Sequence, residues 1–546
     1  MTKAILRRLL VSVLMGAATT AMADAINYSD GQVHDLTVTD GDTADSITLS
    51  AKSVLNVSGG KLTNTSGSIK LSGGSKLTVG SGASILTGTA KTSTTSFVNI
   101  KGTSSLIIDG GAVTLPASSS PIGTTVIGTG NTGDPSEVKI VNGGSLTIDG
   151  LSHGLSMYNG VKLTVVDSSF NLKSGGDFKA SWLLNYGSHT IAATNSTVNF
   201  HKIYLGGNGS SNSGASNSKL YFHNSTVTST AKQDYSNVGF TFYGSKNTKN
   251  NLVRFTGSQG SSNVGFDTFG DNAANNKIEL YDGSFGGYLR LTTGSGNKFV
   301  QKGGKWSSGY QCKLGGSANE FQILGGAFGG GSAAIEFLAS ANNCKAMFQN
   351  CTGRLSCYDE SVPPLNFAAG AQGSSLVVSS NATLSVEGKV ALNAVVTDCR
   401  IEFRGENPKM TIDNLGAISS AYVWSLGSDD EANADKTVAL KFVLPKEPYA
   451  SAPLYSNAAK PVNLKKYTKI IVEEGDWTIG TDKTKTFYPL VYDAKSFNSE
   501  MTAELVASLN ANATLPEGAA LEYDSAKKVL GVRMPREKLG LMLIVQ

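Results

Sequence analysis

Charged residues are scarce in this sequence, at 16% of 546 residues. The formal net charge is only +4, and the basic residues are spread over the whole length. Proteins that bind nucleic acids or other polyanions need clustered basic residues. The sequence therefore predicts no nucleic-acid partner and gives no sign of another polyanion.

Long apolar runs are missing as well. The run at residues 9–18 is well short of the ~20 residues that span a bilayer. It follows Lys3, Arg7 and Arg8 and precedes Ala-Met-Ala at 21–23, which puts small residues where a signal peptidase reads. This pattern predicts a signal peptide over residues 1–23. We expect an exported chain, extracellular, at the cell surface or in the periplasm, with no transmembrane segment after cleavage.

Cysteine and histidine are rare, with five of each. No Cys-x-x-Cys or His-x-x-x-His spacing occurs, so the sequence predicts no metal site, no cofactor and no disulfide framework. We expect the cysteines to be small apolar residues of the core. They are Cys312, Cys344, Cys351, Cys357 and Cys399.

Glycine, at 63 residues, is abundant, and a repeat organises the region from 276 to 357. Four copies begin at Asn276, Asn297, Asn319 and Asn342, spaced by 21 to 23 residues. Within each copy the apolar residues lie two apart, which is the period of a β-strand. Strand units that repeat the same apolar positions predict an all-β fold, a right-handed parallel β-helix with coils ~4.8 Å apart.

Alignment of the copies on their first asparagine assigns four of the five cysteines to apolar columns. Cys344 then follows Phe321, Cys351 follows Phe328, and Cys312 follows Leu291 one coil later. One predicted outward column runs Thr241, Gly265, Arg290, Gln311, Glu336 and Ser356. The outward columns stack no two acids on adjacent coils. Instead they predict that Arg254 and Glu279 are neighbours in a surface ion pair.

One corner of the coil also has a sequence signature. An Asn or Asp precedes an apolar residue by three positions at Asp167, Asn195, Asn224 and Asp282. These residue types tolerate left-handed backbone and bond to nearby main chain. We therefore predict a stack of turn residues there.

We divide the chain into four parts: signal peptide at 1–23, N-terminal entry or cap at 24–46, β-helix repeats at 47–425, and a small β-rich C-terminal capping domain at 426–546. In the last part we predict a short helix capped by Ser499 and ending at Leu509, then strands at 521–523 and 529–533. Such a unit would cover the open edge of the last coil.

Several motifs resemble a known group of proteins. Gly-Gly-x-Leu-Thr units at 59–63 and 143–147, and Asn-Ser-Thr-Val turns at 195–198 and 224–227, resemble the passenger regions of bacterial autotransporter adhesins. More broadly they are similar to pectin-lyase-like right-handed parallel β-helices. The resemblance covers residues 33–423 and implies architecture more than function. The chain departs from it after Ser428, where too few residues remain for a translocating outer-membrane barrel.

The leading functional hypothesis is a secreted, rod-like surface protein with an adhesive or structural role and no catalysis. Its partner would be a carbohydrate or the surface of a host or neighbouring cell. Tyr204 and Tyr221, at outward positions, are the candidate ligand-binding residues because aromatic faces stack on sugars; they are also common strand residues.

The alternative is a carbohydrate-active β-helix enzyme, a polysaccharide lyase or a glycoside hydrolase. The resemblance implies it, because pectin-lyase-like folds often cleave polysaccharides. Asp267, Asp271 and Asp282 are the candidate catalytic residues, since they lie near one another along the chain. The competing interpretation is that they are solvated turn residues.

Overall fold

The computed structural model describes residues 22–535 with gaps. The gaps are 88–97, 116–124, 128–134, 150–154, 159, 174–180, 186, 207–213, 231–238, 244–247, 262, 308–310, 331–332, 357–362, 389, 393–394, 414–423, 458–461, 476–485, 496 and 498–500. Most of the predicted signal peptide, the predicted core position of Cys357 and the predicted helix cap at Ser499 lie outside the described residues.

The described chain winds into stacked coils, and each typical coil gives one short strand to each of three ladders. Within a ladder, every strand pairs in parallel with the strand one coil earlier, as Lys298–Gln301 pairs with Lys277–Leu280 and with Glu320–Ile323. The prediction of an all-β parallel β-helix is thereby confirmed.

Ladder 1 contains seventeen described strands. They are Val33–Val38, Val54–Gly59, Lys76–Val79, Ser105–Asp109, Glu137–Val141, Lys162–Val166, Thr190–Thr194, Lys219–His223, Leu252–Thr256, Lys277–Leu280, Lys298–Gln301, Glu320–Ile323, Lys345–Gln349, Ser375–Ser379, Arg400–Arg404, Ala439–Leu444 and Ile470–Glu474.

Ladder 2 follows ladder 1 in each coil. Its strands are Met22–Ala23, the first halves of Asp42–Leu49 and Lys61–Leu71, then Ser84–Thr87, Ala112–Leu115, Ser145–Asp149, Ser169–Lys173, Thr197–Phe200, Thr226–Ser229, Ser258–Gly260, Gly283–Gly286, Lys305–Ser307, Gly326–Gly329, Cys351–Ser356, Thr383–Glu387, Lys409–Asp413, Leu454–Ser456 and Phe487–Asp493.

Ladder 3 completes the coil. Its strands are Ile26–Tyr28, the second halves of Asp42–Leu49 and Lys61–Leu71, then Val98–Ile100, Thr125–Ile127, Leu155–Tyr158, Ser181–Asn185, Lys202–Leu205, Phe240–Tyr243, Phe266–Phe269, Leu289–Leu291, Gln311–Leu314, Ala334–Phe337 and Leu365–Phe367. A separate three-stranded sheet takes its place in the last coils: Ala391–Leu392, Trp424–Leu426 and Val462–Leu464.

Inward side chains fill the coil and stack along its axis. Phe222 lies on Phe255 with ring centroids 5.1 Å apart, and Phe240 lies on Phe266 at the same distance. All four rings are at most 1% exposed. Stacked pairs of the same kind recur in later coils, at Phe337 on Phe367 and at Phe403 on Phe442, and such contacts stabilise the stack.

A buried asparagine ladder lies at the corner between ladders 3 and 1. Asn251, Asn276, Asn297 and Asn319 are at most 1% exposed. Their side-chain amides bond in series, with Nδ2 to Oδ1 distances of 2.9, 3.0 and 3.2 Å. Each Oδ1 also accepts a main-chain N–H from the coil before. The ladder thus satisfies polar groups that would otherwise be unpaired in the core.

The corner between ladders 1 and 2 has the predicted turn residues. Asp167, Asn195 and Asn224 have left-handed φ angles of 50°, 50° and 45°, and Asn195 Nδ2 donates to Asp167 Oδ1 at 3.1 Å. Asp282 occupies the same corner, directly before Gly283, whose φ is 101°. A Cβ on Gly283 would lie 1.7 Å from the Ser258 carbonyl oxygen, so only glycine fits there.

The predicted register of the fourth copy is wrong by two residues. Phe321 pairs with Ala346, while Cys344 continues the asparagine ladder after Asn319. The prediction started the copy at Asn342, but the two asparagines before Cys344 are corner residues, and Asn343 has a left-handed φ of 54°. Asparagine suits both the corner and the ladder, so the residue type alone did not fix the register.

Two other cysteines are also shifted from their predicted columns. Cys351 pairs with Gly326 and not with Phe328, and Cys312 pairs with Leu289 and not with Leu291. The predicted burial is nevertheless confirmed for the four described cysteines, all of which are buried.

Parallel pairing continues past residue 425 in ladder 1, in ladder 2 and in the separate three-stranded sheet. In ladder 1 it reaches Ile470–Glu474. Phe487–Asp493 then pairs antiparallel with Val529–Arg533, and that strand pairs antiparallel with Ala520–Asp524. Thr514 bridges to Ile471 and covers part of the last edge of ladder 1.

These strands are accompanied by a 3-10 helix at Glu431–Asn433 and by an α-helix, α1, at Ala503–Asn512. The cap of α1 is Thr502, three residues after the predicted Ser499: its Oγ1 accepts the Leu505 N–H at 3.1 Å. No helix in the described part of the chain is both long and apolar enough to cross a membrane.

Candidate functional site

The outward face of ladder 3 contains a column of polar side chains. Parallel pairing places Tyr204, Thr241, Asp267 and Arg290 on successive coils. Lys313 and Glu336 continue this column. The predicted column had Gly265 and Gln311 in two of these places, each two residues early, so it missed that Asp267 faces outward beside a basic residue.

Asp267 and Arg290 form a largely buried ion pair. The distance from Asp267 Oδ2 to Arg290 Nη2 is 2.9 Å, and the side chains are 16% and 10% exposed. Burial raises the pKa of Asp267 to about 6, although the charge of Arg290 and the Thr268 N–H act to lower it. A carboxyl group with this pKa can gain or lose a proton near neutral pH.

A lysine links Asp267 to the candidate Tyr204. Lys202 is 6% exposed, and its Nζ donates to Tyr204 Oη at 3.2 Å. Its charge also acts to lower the pKa of Asp267, while burial raises the pKa of Tyr204. The Tyr204 ring meets the edge of Tyr243 at 6.4 Å. Two of the predicted site residues therefore share one polar cluster.

The other two candidate acids lie elsewhere. Asp271 is exposed in the turn that follows Phe266–Phe269, and Asp282 is exposed at the corner between ladders 1 and 2. The structure does not bring them into the ion pair of Asp267. Across the described ranges, no three histidine, cysteine or acidic side chains are arranged to hold a metal ion.

Tyr221 lies on a different face, that of ladder 1. Arg254 follows it one coil later, with its guanidinium 5.6 Å from the Tyr221 ring centroid and 5.2 Å from that of Tyr281. Arg254 Nε donates to Glu279 Oε2 at 2.7 Å. The predicted pairing of Arg254 with Glu279 is confirmed, but Glu279 is only 3% exposed, so its carboxylate lies beneath the surface.

Glu279 anchors two cations at once, because Lys277 Nζ also lies 2.6 Å from its Oε1. Burial alone would raise the pKa of the Glu279 carboxyl, but its bonds to Lys277 and Arg254 outweigh burial and hold the pKa below its usual value. Next to it, Lys302 Nζ donates to Tyr281 Oη at 3.0 Å, which raises the pKa of Lys302. The side chains around Tyr221 are thus held in place by their neighbours.

The sequence interpretation missed Lys202 and Arg290 as partners of Asp267, and it missed the lysines around Tyr221. The sequence does contain a signal for these lysines. A lysine directly follows the residue of the buried asparagine ladder at four places, Ser218, Asn276, Asn297 and Cys344. These lysines begin strands of ladder 1, and outward residues two positions apart share a face.

We predict that Asp267 titrates near pH 6. Its folded pKa lies above the unfolded value, so its contribution to the free energy of unfolding is fully present below pH ~4. That contribution, about 3 kcal/mol, is lost as the pH rises through 6. Carboxyl ¹³C NMR, with Asp267→Asn to identify the signal, checks this directly. A midpoint below pH 4 would contradict the buried setting of this carboxyl group.

Comparison of the chain with protein-family models, with curated proteins and with solved structures finds no match.

Proposed function

We propose that this chain is an exported, rod-like β-helix protein that acts at a surface as an adhesive or structural element. The observation that supports this most is the continuity of ladder 1 through seventeen described strands. At ~4.8 Å per coil, such a stack extends for about 75 Å. A long and regular surface of this kind suits an extended ligand or a spacer role better than a compact substrate.

The chemistry of the coil supports the same proposal. The interior repeats aromatic and asparagine contacts, whereas the outward columns change from coil to coil. The inward residues therefore build the coil, while the outward residues can vary without changing it, as in other solenoids that bind along one face. The signal peptide at 1–23 and the likeness to autotransporter passengers and pectin-lyase-like proteins belong to this proposal and would place the rod in the periplasm, at the cell surface or outside the cell.

A polysaccharide panel tests this proposal. The protein without residues 1–23 is incubated with neutral and acidic polysaccharides, and both binding and the release of reducing or unsaturated ends are measured. We expect retention on at least one polymer or cell surface and no released ends. Release of ends that is abolished by Asp267→Asn would replace this proposal with the enzymatic one.

The raised pKa of Asp267 supports a second candidate function, that of a carbohydrate-active enzyme. In that case Asp267 would transfer a proton to or from the sugar, and Lys202 and Tyr204 would position the sugar. Its signature would be a pH–rate profile with an ionisation near 6. Asp267→Asn should remove this ionisation, and the exposed Asp271→Asn should leave the profile unchanged.

A further inference from the structure

Basic side chains concentrate on one part of ladder 1. Five of them, from four consecutive strands and the turn after the last strand, define what we call the basic face: Lys219, Arg254, Lys277, Lys298 and Lys302. Lys277, Arg254 and Lys298 have 43%, 37% and 40% of their side chains exposed. Residues spread over more than eighty positions of sequence thus form one surface, which the whole-chain net charge does not reveal.

Nearby acids offset only part of this charge. Glu279 is buried beneath Lys277 and Arg254. Glu320 lies between Lys298 and Lys345, at 3.4 and 3.8 Å. The third acid is Asp282, exposed at the adjoining corner. With Lys345 included, six basic residues face three acids among the described residues of this region, which leaves an excess of positive charge.

The central cations of the basic face are held by their neighbours. Glu279 binds one edge of the Arg254 guanidinium, and the rings of Tyr221 and Tyr281 flank it. Lys302 is fixed by the hydroxyl group of Tyr281 and lies 4.5 Å from its ring centroid. Side chains that are already ordered lose less conformational freedom when they bind a ligand.

We propose that the basic face binds an extended anionic polysaccharide, carboxylated or sulfated, whose chain runs along the coil axis. Each coil offers a guanidinium or an ammonium group at ~4.8 Å steps. Guanidinium groups pair with carboxylate and sulfate oxygens through charge-assisted hydrogen bonds, in bidentate form where geometry allows. This inference rests on the proposed adhesive function and names its ligand class.

The aromatic residues favour a glycan over a nucleic acid. Proteins that bind single strands stack bases on open aromatic rings. Here Arg254 lies over the rings of Tyr221 and Tyr281, and Lys302 also lies over Tyr281. The rings thus serve to position cations, which suits a ligand recognised through its charged groups.

Titration with polygalacturonate and heparin at low and high salt tests the proposal. We expect binding that weakens steeply with salt. The double variant Lys219→Gln/Lys298→Gln should bind at least about tenfold more weakly, a loss of about 1.4 kcal/mol. Lys70→Gln/Lys101→Gln removes the same charge from exposed positions outside ladder 1 and should change nothing. Circular dichroism verifies that both variants fold.

Three results would overturn the inference: no binding of either polymer at low salt, equal losses in the two double variants, or tighter binding of a single-stranded oligonucleotide than of both glycans. The adhesive proposal can be judged separately. If Lys219→Gln/Lys298→Gln still binds the polysaccharide panel like the unaltered protein, the adhesive proposal stands and the basic face is not its site. If the unaltered protein binds nothing in the panel, the adhesive proposal itself fails.

Discussion

Phe328→Asp should prevent the coils around residues 305–353 from packing. Phe328 is 3% exposed, pairs with Trp306 in ladder 2, and its ring meets Phe348 edge-on with centroids 5.6 Å apart. Removal of the ring from a packed core costs about 3–5 kcal/mol. A carboxyl group buried without a partner adds several kcal/mol. The sum is comparable with the whole stability of many domains, so we expect loss of the cooperative thermal transition and rapid proteolysis.

Ala327→Asp is the matched control, because Ala327 is the neighbouring residue on the same strand and faces outward, half-buried. The same charge there should change the free energy of unfolding by about 0.5 kcal/mol. If both variants melted alike, the inward and outward faces of this strand would have been assigned wrongly.

Asn297→Leu should destabilise the protein on the order of 3–6 kcal/mol. The Asn297 Oδ1 accepts two hydrogen bonds from Asn276, one from its main-chain N–H at 3.1 Å and one from the Asn276 Nδ2 at 3.0 Å. The Asn297 Nδ2 donates to the Ala273 carbonyl at 2.9 Å and to Asn319 Oδ1 at 3.2 Å. Leucine removes all four bonds in a fully buried place, and each unsatisfied buried group costs about 1–3 kcal/mol before relaxation. Chemical denaturation measures the difference.

Asn297→Ser is the informative comparison, since serine occupies the same ladder at Ser218 and Ser374 and its hydroxyl group bonds to the neighbouring coil. We expect a cost of about 1–2 kcal/mol, because a polar partner remains. A leucine variant no less stable than the serine variant would mean that apolar packing, and not the amide ladder, holds this corner.

The architecture could be predicted from the sequence because the repeat region shows two periods together, one of a strand and one of a whole coil. Apolar residues two apart give strands, and the spacing of about 22 residues returns each apolar residue to the same place in the coil. The register was harder, as the shift at Cys344 shows: coils differ in turn length, and asparagine is favoured at two neighbouring corner positions. A shift of two residues keeps inward residues inward but changes which outward side chains meet.

The candidate site could be predicted only in part. Asp267 and Tyr204 were identified as single residues, but Arg290 and Lys202 lie on other coils than Asp267 and become its neighbours only when the register is right. The basic face was missed for the same reason, since Lys219 and Lys298 are far apart in sequence and their charge is diluted in the whole-chain total. Burial, which sets the pKa of Asp267, is likewise a property of the stacked coils.

The distance between spin labels at residues 192 and 322 tests the stacking most directly. Both side chains face outward in the central column of ladder 1, and five parallel pairings connect them. At ~4.8 Å per coil, the backbones should lie about 24 Å apart despite the long stretch of chain between them. A narrow distribution near that value, measured by double electron–electron resonance, is the expected result. A distribution centred beyond about twice that distance would contradict the single register on which both the rod and the basic face depend.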